Sequence, residues 1–418
     1  MKFVRLTRFP IVIISMFALT ACAVGSDAVR PVMELPTSYK ENVGWKVAEP
    51  RDQASRGHWW EIFGIPELNA LEQRVMVSNQ NLRAAEASYR QAQAAVQATR
   101  ASYFPTLSAN TTATRSQSLP SAGGGLSNQY ALNVVASWEA DIWGKIQHSV
   151  AASTASAQAS AADLEAARLS LTATLAQNYF QLRALDTQKQ LFEATIAAYR
   201  KSLKLTQNRY AVGVAAKVDV VQAQTQLEST QAQALQINVQ RAQLEHAIAL
   251  LVGQPPETFS LSPASLVATV PVTPVGLPSD LLERRPDIAA AERRVAAANA
   301  QIGVAEAAFF PALTLSGTGG LQNGNFAQWL SSPNLFWSVG PVLAQVIFDG
   351  GLRQAQTEEA RALYDQNVAL YRQAVLAGLQ EVEDSLAALR YLEAAAQVQE
   401  AAVQSARQSV ALTTHQYR

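Results

Sequence analysis

The sequence predicts a mixed α/β membrane protein in which one unit, helix–strand–strand–long helix, occurs twice. Three observations support that class. The chain repeats itself at an offset of about two hundred residues. Stretches rich in Ala and Gln run for tens of residues without a helix breaker. Between them, short segments switch to a period of two, as strands do.

The first 22 residues read as a sorting signal. Lys2, Arg5 and Arg8 precede the apolar run FPIVIISMFAL, the arrangement of a secretory leader. The run closes on LTAC, Leu19 to Cys22, which resembles a bacterial lipobox; the Cys22 sulfur would carry a diacylglycerol. Cys22 is the only cysteine in the chain, so no intramolecular disulfide competes for it. A lipid chain anchors without spanning. No later stretch is apolar for the ~20 residues a spanning helix needs. Basic and acidic residues balance at 33 each, which gives no reason to expect nucleic acid as a partner.

After an N-terminal segment, 23–66, comes the first repeat, 67–253. Asn81 to Leu107 aligns with Asp287 to Leu313 at an offset of 206, with nine of 27 positions identical. YFQLRALD, Tyr179 to Asp186, meets LAALRYLE, Leu386 to Glu393, at 207. Each repeat opens with a helix. A β-hairpin follows, over 102–143 in the first copy and 309–349 in the second.

The strand segment YALNVVASWEADI puts Tyr130, Leu132, Val134 and Trp138 on one side, with Ala136, Ala140 and Ile142. Ala131, Asn133, Val135, Ser137, Glu139 and Asp141 lie on the other. Apolar-out, polar-in alternation is the signature of a barrel strand in lipid. In the second copy Leu335, Trp337, Val339 and Leu343 form the outer side, although Gln345 and Phe348 blur the pattern. A half-buried sheet in a soluble domain alternates as well; the lipobox and the long helices favour lipid. In a bilayer every strand edge must be paired, so a barrel must close. Four strands per chain are too few, since single-chain barrels start at about eight. Several chains must therefore each donate four strands.

The long helix of the first repeat runs from Lys145 to about Tyr210 with no Pro or Gly. A heptad-spaced seam follows Leu171, Leu175, Asn178, Leu182, Leu185, Lys189, Phe192, Ile196, Tyr199, Leu203, Thr206 and Tyr210. A return helix spans about 217–252, so 145–252 reads as one helical hairpin with its tip at Val212, Gly213 and Val214. A linker, 254–285, is punctuated by Pro and Gly. The second repeat, 286–418, has its long helix over 351–418. By the repeat offset, its return arm is expected to continue for roughly forty residues beyond Arg418. The chain is therefore expected to be a shortened form, lacking the second tip and unable to close a working tunnel.

GLPSDLLERRPDI, Gly276 to Ile288, resembles a hallmark of the outer-membrane factor family, TolC-like ducts, in its NodT-type lipoprotein branch. HWWEIFGIPELNAL, SWEADIWGK and NRYAVGVAAKVDVVQAQTQL are similar to other stretches of that family. The resemblance implies a homotrimer whose twelve strands share one β-barrel and whose helices form a tapering periplasmic α-helical tunnel. It implies an efflux duct for small molecules, lipid-anchored in the bacterial outer membrane. Its partners would be a periplasmic adaptor and an inner-membrane pump of the resistance–nodulation–division type. The adaptor contact would fall on Val212, Gly213 and Val214. Within the hallmark, Asp280 and Glu283 have capping-box spacing, Pro286 suits a first helical turn, and Arg284 and Arg285 can pair with acids. This motif reads as a structural joint.

No catalytic pattern is present: His58, His148, His246 and His415 lie far apart and show no ligand spacing, so neither a metal nor a cofactor is expected beyond the lipid on Cys22. The competing reading is a periplasmic coiled-coil adaptor or structural lipoprotein. An adaptor would carry one helical hairpin between short β-domains, not a duplicated helix–strand–strand–helix unit.

Overall fold

A computed structural model describes residues 57–117, 125–266 and 285–416. A 3-10 turn, Trp59–Phe63, leads into α1 (Pro66–Ser78) and α2 (Gln80–Arg100). Strands β1 (Thr106–Gln117) and β2 (Leu126–Ala140) follow, then the hairpin of α3 (Lys145–Ala211) and α4 (Lys217–Leu251). The second half holds α5 (Pro286–Ala307), β3 (Ala312–Asn323), β4 (Leu335–Ala344) and α6 (Leu352–Gln416). With 67 and 65 residues, α3 and α6 are each on the order of 100 Å long. Among the described residues, no helix is apolar enough over a sufficient length to cross a membrane, which says nothing of the strands.

The first repeat opens with two helices where the sequence reading expected one. The break falls at Asn79, which has extended backbone. Its side-chain oxygen accepts the Leu82 N–H at 3.0 Å, capping α2, and its amide donates to the Leu251 carbonyl at 2.8 Å, closing the end of α4. One buried Asn thus satisfies orphan groups of two helices.

The described residues divide into two compact units. One comprises, among the described residues, 57–88 and 163–266. Its core gathers Leu68, Leu71 and Val75 of α1, Leu175, Tyr179 and Leu182 of α3, and Ile248 and Leu251 of α4, closed by Trp60, Phe259 and Leu261. The seam on α3 explains this: Leu175 and Leu182 are buried, while Phe192, Ile196, Tyr199 and Leu203 are half-buried towards the tip. Gly253 ends α4 at φ +70°, with its N–H and that of Gln254 bonded back to Leu250 and Ala249.

The other unit includes, among the described residues, 89–117, 125–162 and 285–416 and contains the sheet. The four strands form one antiparallel sheet in the order β1-β2-β3-β4. In the same unit α5 and α6 pack through Ile288 and Val375, and small residues Ala289, Ala290 and Ala162 meet closely.

Candidate functional site

The register decides which side chains share a face. Val134 lies opposite Ala109 on one side and Gly319 on the other, and Gly319 in turn opposite Trp337. Leu132 leads likewise to Leu321 and Leu335, while Gly317 lies opposite Val339. Directly paired residues point to the same side of a sheet. Tyr130, Leu132, Val134, Trp138, Leu335, Trp337 and Val339 therefore form one face, joined by Leu107, Leu313, Leu315 and Leu343. The opposite face is mainly polar: Ser108, Asn110, Thr112 and Thr114 of β1, Asn133, Ser137 and Glu139 of β2, and Thr314, Ser316 and Thr318 of β3, with Val135, Phe336 and Val342 as its apolar members.

Aromatic side chains mark both ends of the sheet. At the loop end Tyr130 meets Phe326 at 5.2 Å, and Phe326 stacks on Trp329. At the helix end Trp143 stacks on Phe310 at 4.8 Å and donates its indole N–H to the Pro311 carbonyl. From Tyr130 to Trp138 the strand rises about 27 Å. At a barrel tilt of ~40° that is a band roughly 21 Å tall, close to the hydrocarbon thickness such barrels cover.

Gln345 does not break the pattern in the way its polarity suggests. Its amide donates to the Phe309 carbonyl at 3.0 Å, and the Trp138 indole donates to the Tyr103 carbonyl at 2.9 Å. Each side chain ties the end of one strand to the turn that enters its neighbour.

At the tip, α3 ends at Ala211 and Gly213 takes φ +77°, a conformation that favours glycine. The Val214 N–H returns to the Arg209 carbonyl at 2.9 Å, and Asp219 accepts the Ala216 N–H to start α4. Val212 and Val214 project into solvent, flanked by exposed Val218 and Val221.

Of the hallmark motif, Arg285, Pro286, Asp287 and Ile288 are described; Asp280, Glu283 and Arg284, like Cys22 and the leader, lie outside the described residues. Pro286 is the first residue of α5. Arg285 grips Asp287 with two hydrogen bonds, 2.6 and 3.1 Å, and reaches Glu381 of α6 at 2.6 Å. Those bonds, Asp287 first, raise the already high pKa of its guanidinium. A fork-to-fork Arg–carboxylate pair fixes direction as well as charge.

Two buried polar features carry no motif in the sequence. The first is an ionic cluster: Asp186 accepts from Arg183 at 2.9 Å, from Arg241 at 2.6 Å, and from the Ala264 N–H at 3.1 Å. Arg183 also pairs with Glu67 and donates to the Ser262 carbonyl; Arg241 pairs with Glu245 and donates to Leu261. The cluster therefore holds the segment after α4 against α3. The second is Glu72 of α1, fully buried, with neither carboxyl oxygen hydrogen-bonded. Burial pushes its pKa up to about 8.

A small sheet with one apolar and one polar face, joined to helices of about 100 Å, defines the class: a subunit of an outer-membrane channel with a helical tunnel. The family model for outer membrane efflux proteins matches residues 71–254 and 277–418, and the chain belongs to that family. It is 29% identical over 413 residues to the toluene efflux pump outer membrane protein TtgC of Pseudomonas putida, covering 97% of this chain and 85% of that protein. It is 30% identical to the pyoverdine export outer membrane protein OpmQ of Pseudomonas aeruginosa, covering 88% and 79%. Among solved structures, the outer-membrane channel OprN superposes with a TM-score of 0.77 at 34% identity, over 86% of this chain and 81% of that one.

Proposed function

We propose that this chain is the outer-membrane duct of a tripartite efflux system, passing small molecules from an inner-membrane pump and a periplasmic adaptor to the outside. The observation that carries the reading is the sheet: an apolar face in register across four strands, with β1 and β4 left as open edges. Open edges cannot stand in lipid, so copies of the chain close the barrel together, as a homotrimer of twelve strands. The apolar face then meets lipid. The Ser, Thr and Asn side chains of the other face line water. Glu139 is the charged member of this face and Lys145 pairs with it at the helix end; hydroxyls and amides bind no solute class strongly, so such a lumen conducts broadly and leaves selection to the pump.

In this reading a diacylglycerol on Cys22 anchors the chain in the outer membrane. Val212, Gly213 and Val214 meet the adaptor, and a pump of the resistance–nodulation–division type supplies the energy. The exposed valines suit a hydrophobic contact with a partner helix, and the relatives named above belong to efflux and export systems.

The test is a purification in mild detergent, run on gels with and without boiling, followed by planar-bilayer recording. A heat-sensitive trimer with stepwise conductance is expected. A monomer soluble without detergent would sink the proposal in favour of an adaptor. Labelled palmitate incorporated by the wild type and lost in Cys22→Ala checks the anchor.

A further inference from the structure

We infer that Arg115, with Asn128 and Gln117 beside it, binds a phosphate of the glycolipid that forms the outer leaflet of the outer membrane. This rests on the lipid-facing sheet proposed above and names the lipid group held at its outer rim.

Charge is nearly absent from the two β-hairpins. Between Arg100 and Glu139 the sequence holds one charged residue, Arg115; between Glu306 and Asp349 it holds none. The register decides where that one charge stands. Arg115 lies opposite Asn128, in the same alternation that sets Ala113 opposite Tyr130 and Thr111 opposite Leu132. It therefore belongs to the apolar face, not to the polar one. The residue is exposed, and it makes no hydrogen bond or ion pair with another described residue.

Depth explains how a cation stands there. From Trp138 back to Asn128 the strand covers about 33 Å, which at a tilt of ~40° is roughly 25 Å of height. That is the height of the apolar band of such barrels. Arg115 thus sits at the edge of the band, where a charge on the lipid side costs little, and not at mid-depth, where it costs most. The long helices α3 and α6 start from the other end of the sheet, so this edge is the outer one.

The fold itself has no need of the charge. The corresponding position of the second repeat, 206 residues on, is Leu321, which lies opposite Leu335 on the same face. A second copy supplies no anion either, because it brings the same hairpins, without an acid, to this height. The anion must come from the membrane. Where its acyl chains meet its sugars, the outer-leaflet glycolipid carries phosphates, and a guanidinium holds a phosphate through two parallel hydrogen bonds. Asn128 across the strand pair and Gln117 two residues on share the face and add amide donors, with no carboxylate to repel the ligand. Tyr130 and Phe326, in contact at 5.2 Å, form an aromatic floor beneath them at the depth of the upper acyl chains.

Titration of lipids onto the full chain, purified in mild detergent and stripped of bound lipid, tests the site. The probes are bis-phosphorylated lipid A, the same lipid A with both phosphates removed, and phosphatidylglycerol, each counted on the protein by native mass spectrometry. The wild type is expected to bind phosphorylated lipid A roughly tenfold tighter than the dephosphorylated form, and Arg115→Gln to lose that preference. No preference in the wild type, or one that survives in Arg115→Gln, overturns the site. So does phosphatidylglycerol binding as tightly as phosphorylated lipid A, which would make Arg115 a general interfacial anchor. The lipid-facing sheet is read separately, in phosphatidylcholine vesicles with brominated acyl chains. Trp337 should be quenched there, measured as the difference between wild type and Trp337→Phe. Quenching without a phosphate preference overturns the headgroup site and leaves the sheet's orientation standing; absence of quenching overturns both.

Discussion

Replacing Glu72 with Gln should stabilise the protein, and by an amount that grows with pH. In the folded chain the carboxyl is fully buried with no hydrogen bond, so ionisation is disfavoured and its pKa moves from 4.5 to about 8. The folded state therefore holds a proton that the unfolded chain releases between those two values. Stability from this group is intact below the unfolded value and is lost as pH rises through the folded one. In that window the slope is ~1.4 kcal/mol per pH unit. Between pH 5 and pH 8 the wild type should lose about 3 kcal/mol that the Gln variant, which cannot ionise, does not. For a unit of this size that corresponds to about 6–12 °C in midpoint. Thermal scans of both proteins in the same detergent, at pH 5 and pH 8 and one fixed rate, read the difference. Comparing variant with wild type at each pH removes the titration of every other group. Near pH 5 the two midpoints should lie close together; by pH 8 the variant should melt well above the wild type. An equal gap at both pH values would refute the argument, because a packing effect of the amide has no reason to follow proton activity.

Two further stability predictions follow from the same unit. Asp186→Ala leaves Arg183 and Arg241 buried without their shared anion, a loss of about 3–5 kcal/mol, and frees the segment at 261–264. A clearly lower melting midpoint and earlier proteolysis at that segment are expected, and an unchanged midpoint would count against the cluster. Gly253→Ala and Gly213→Ala both place a Cβ at positive φ, costing about 1–2 kcal/mol each. Only at Gly253 does the added atom also clash with a backbone oxygen, that of Ser78, while Gly213 has open space. The Gly253 variant should therefore melt lower than the Gly213 variant; equal midpoints would show that the α1–α4 contact yields freely.

What the sequence displays are features that a single element carries on its own. The alternation at Tyr130–Trp138 needs only one strand, and the seam on α3 needs only one helix. A residue whose environment comes from a third segment is hidden. Arg183 and Asp186, three apart on a helix, look like a solvated pair until the 259–266 segment and Arg241 close over them. Glu72 sits in PELNALEQRV, where an acid every few residues suggests a wet surface, yet it faces inward. The break at Asn79 has no Gly or Pro to announce it, because capping by a side chain does the work of a breaker. Its trace in the sequence is an Asn in a cap position, which is a preference and not a rule. Gln345 was hidden for a different reason. Polarity placed it outside the pattern, but a hydrogen-bond donor at that position serves whether it is an indole or an amide. Only alignment with Trp138 through the duplication exposes the shared role.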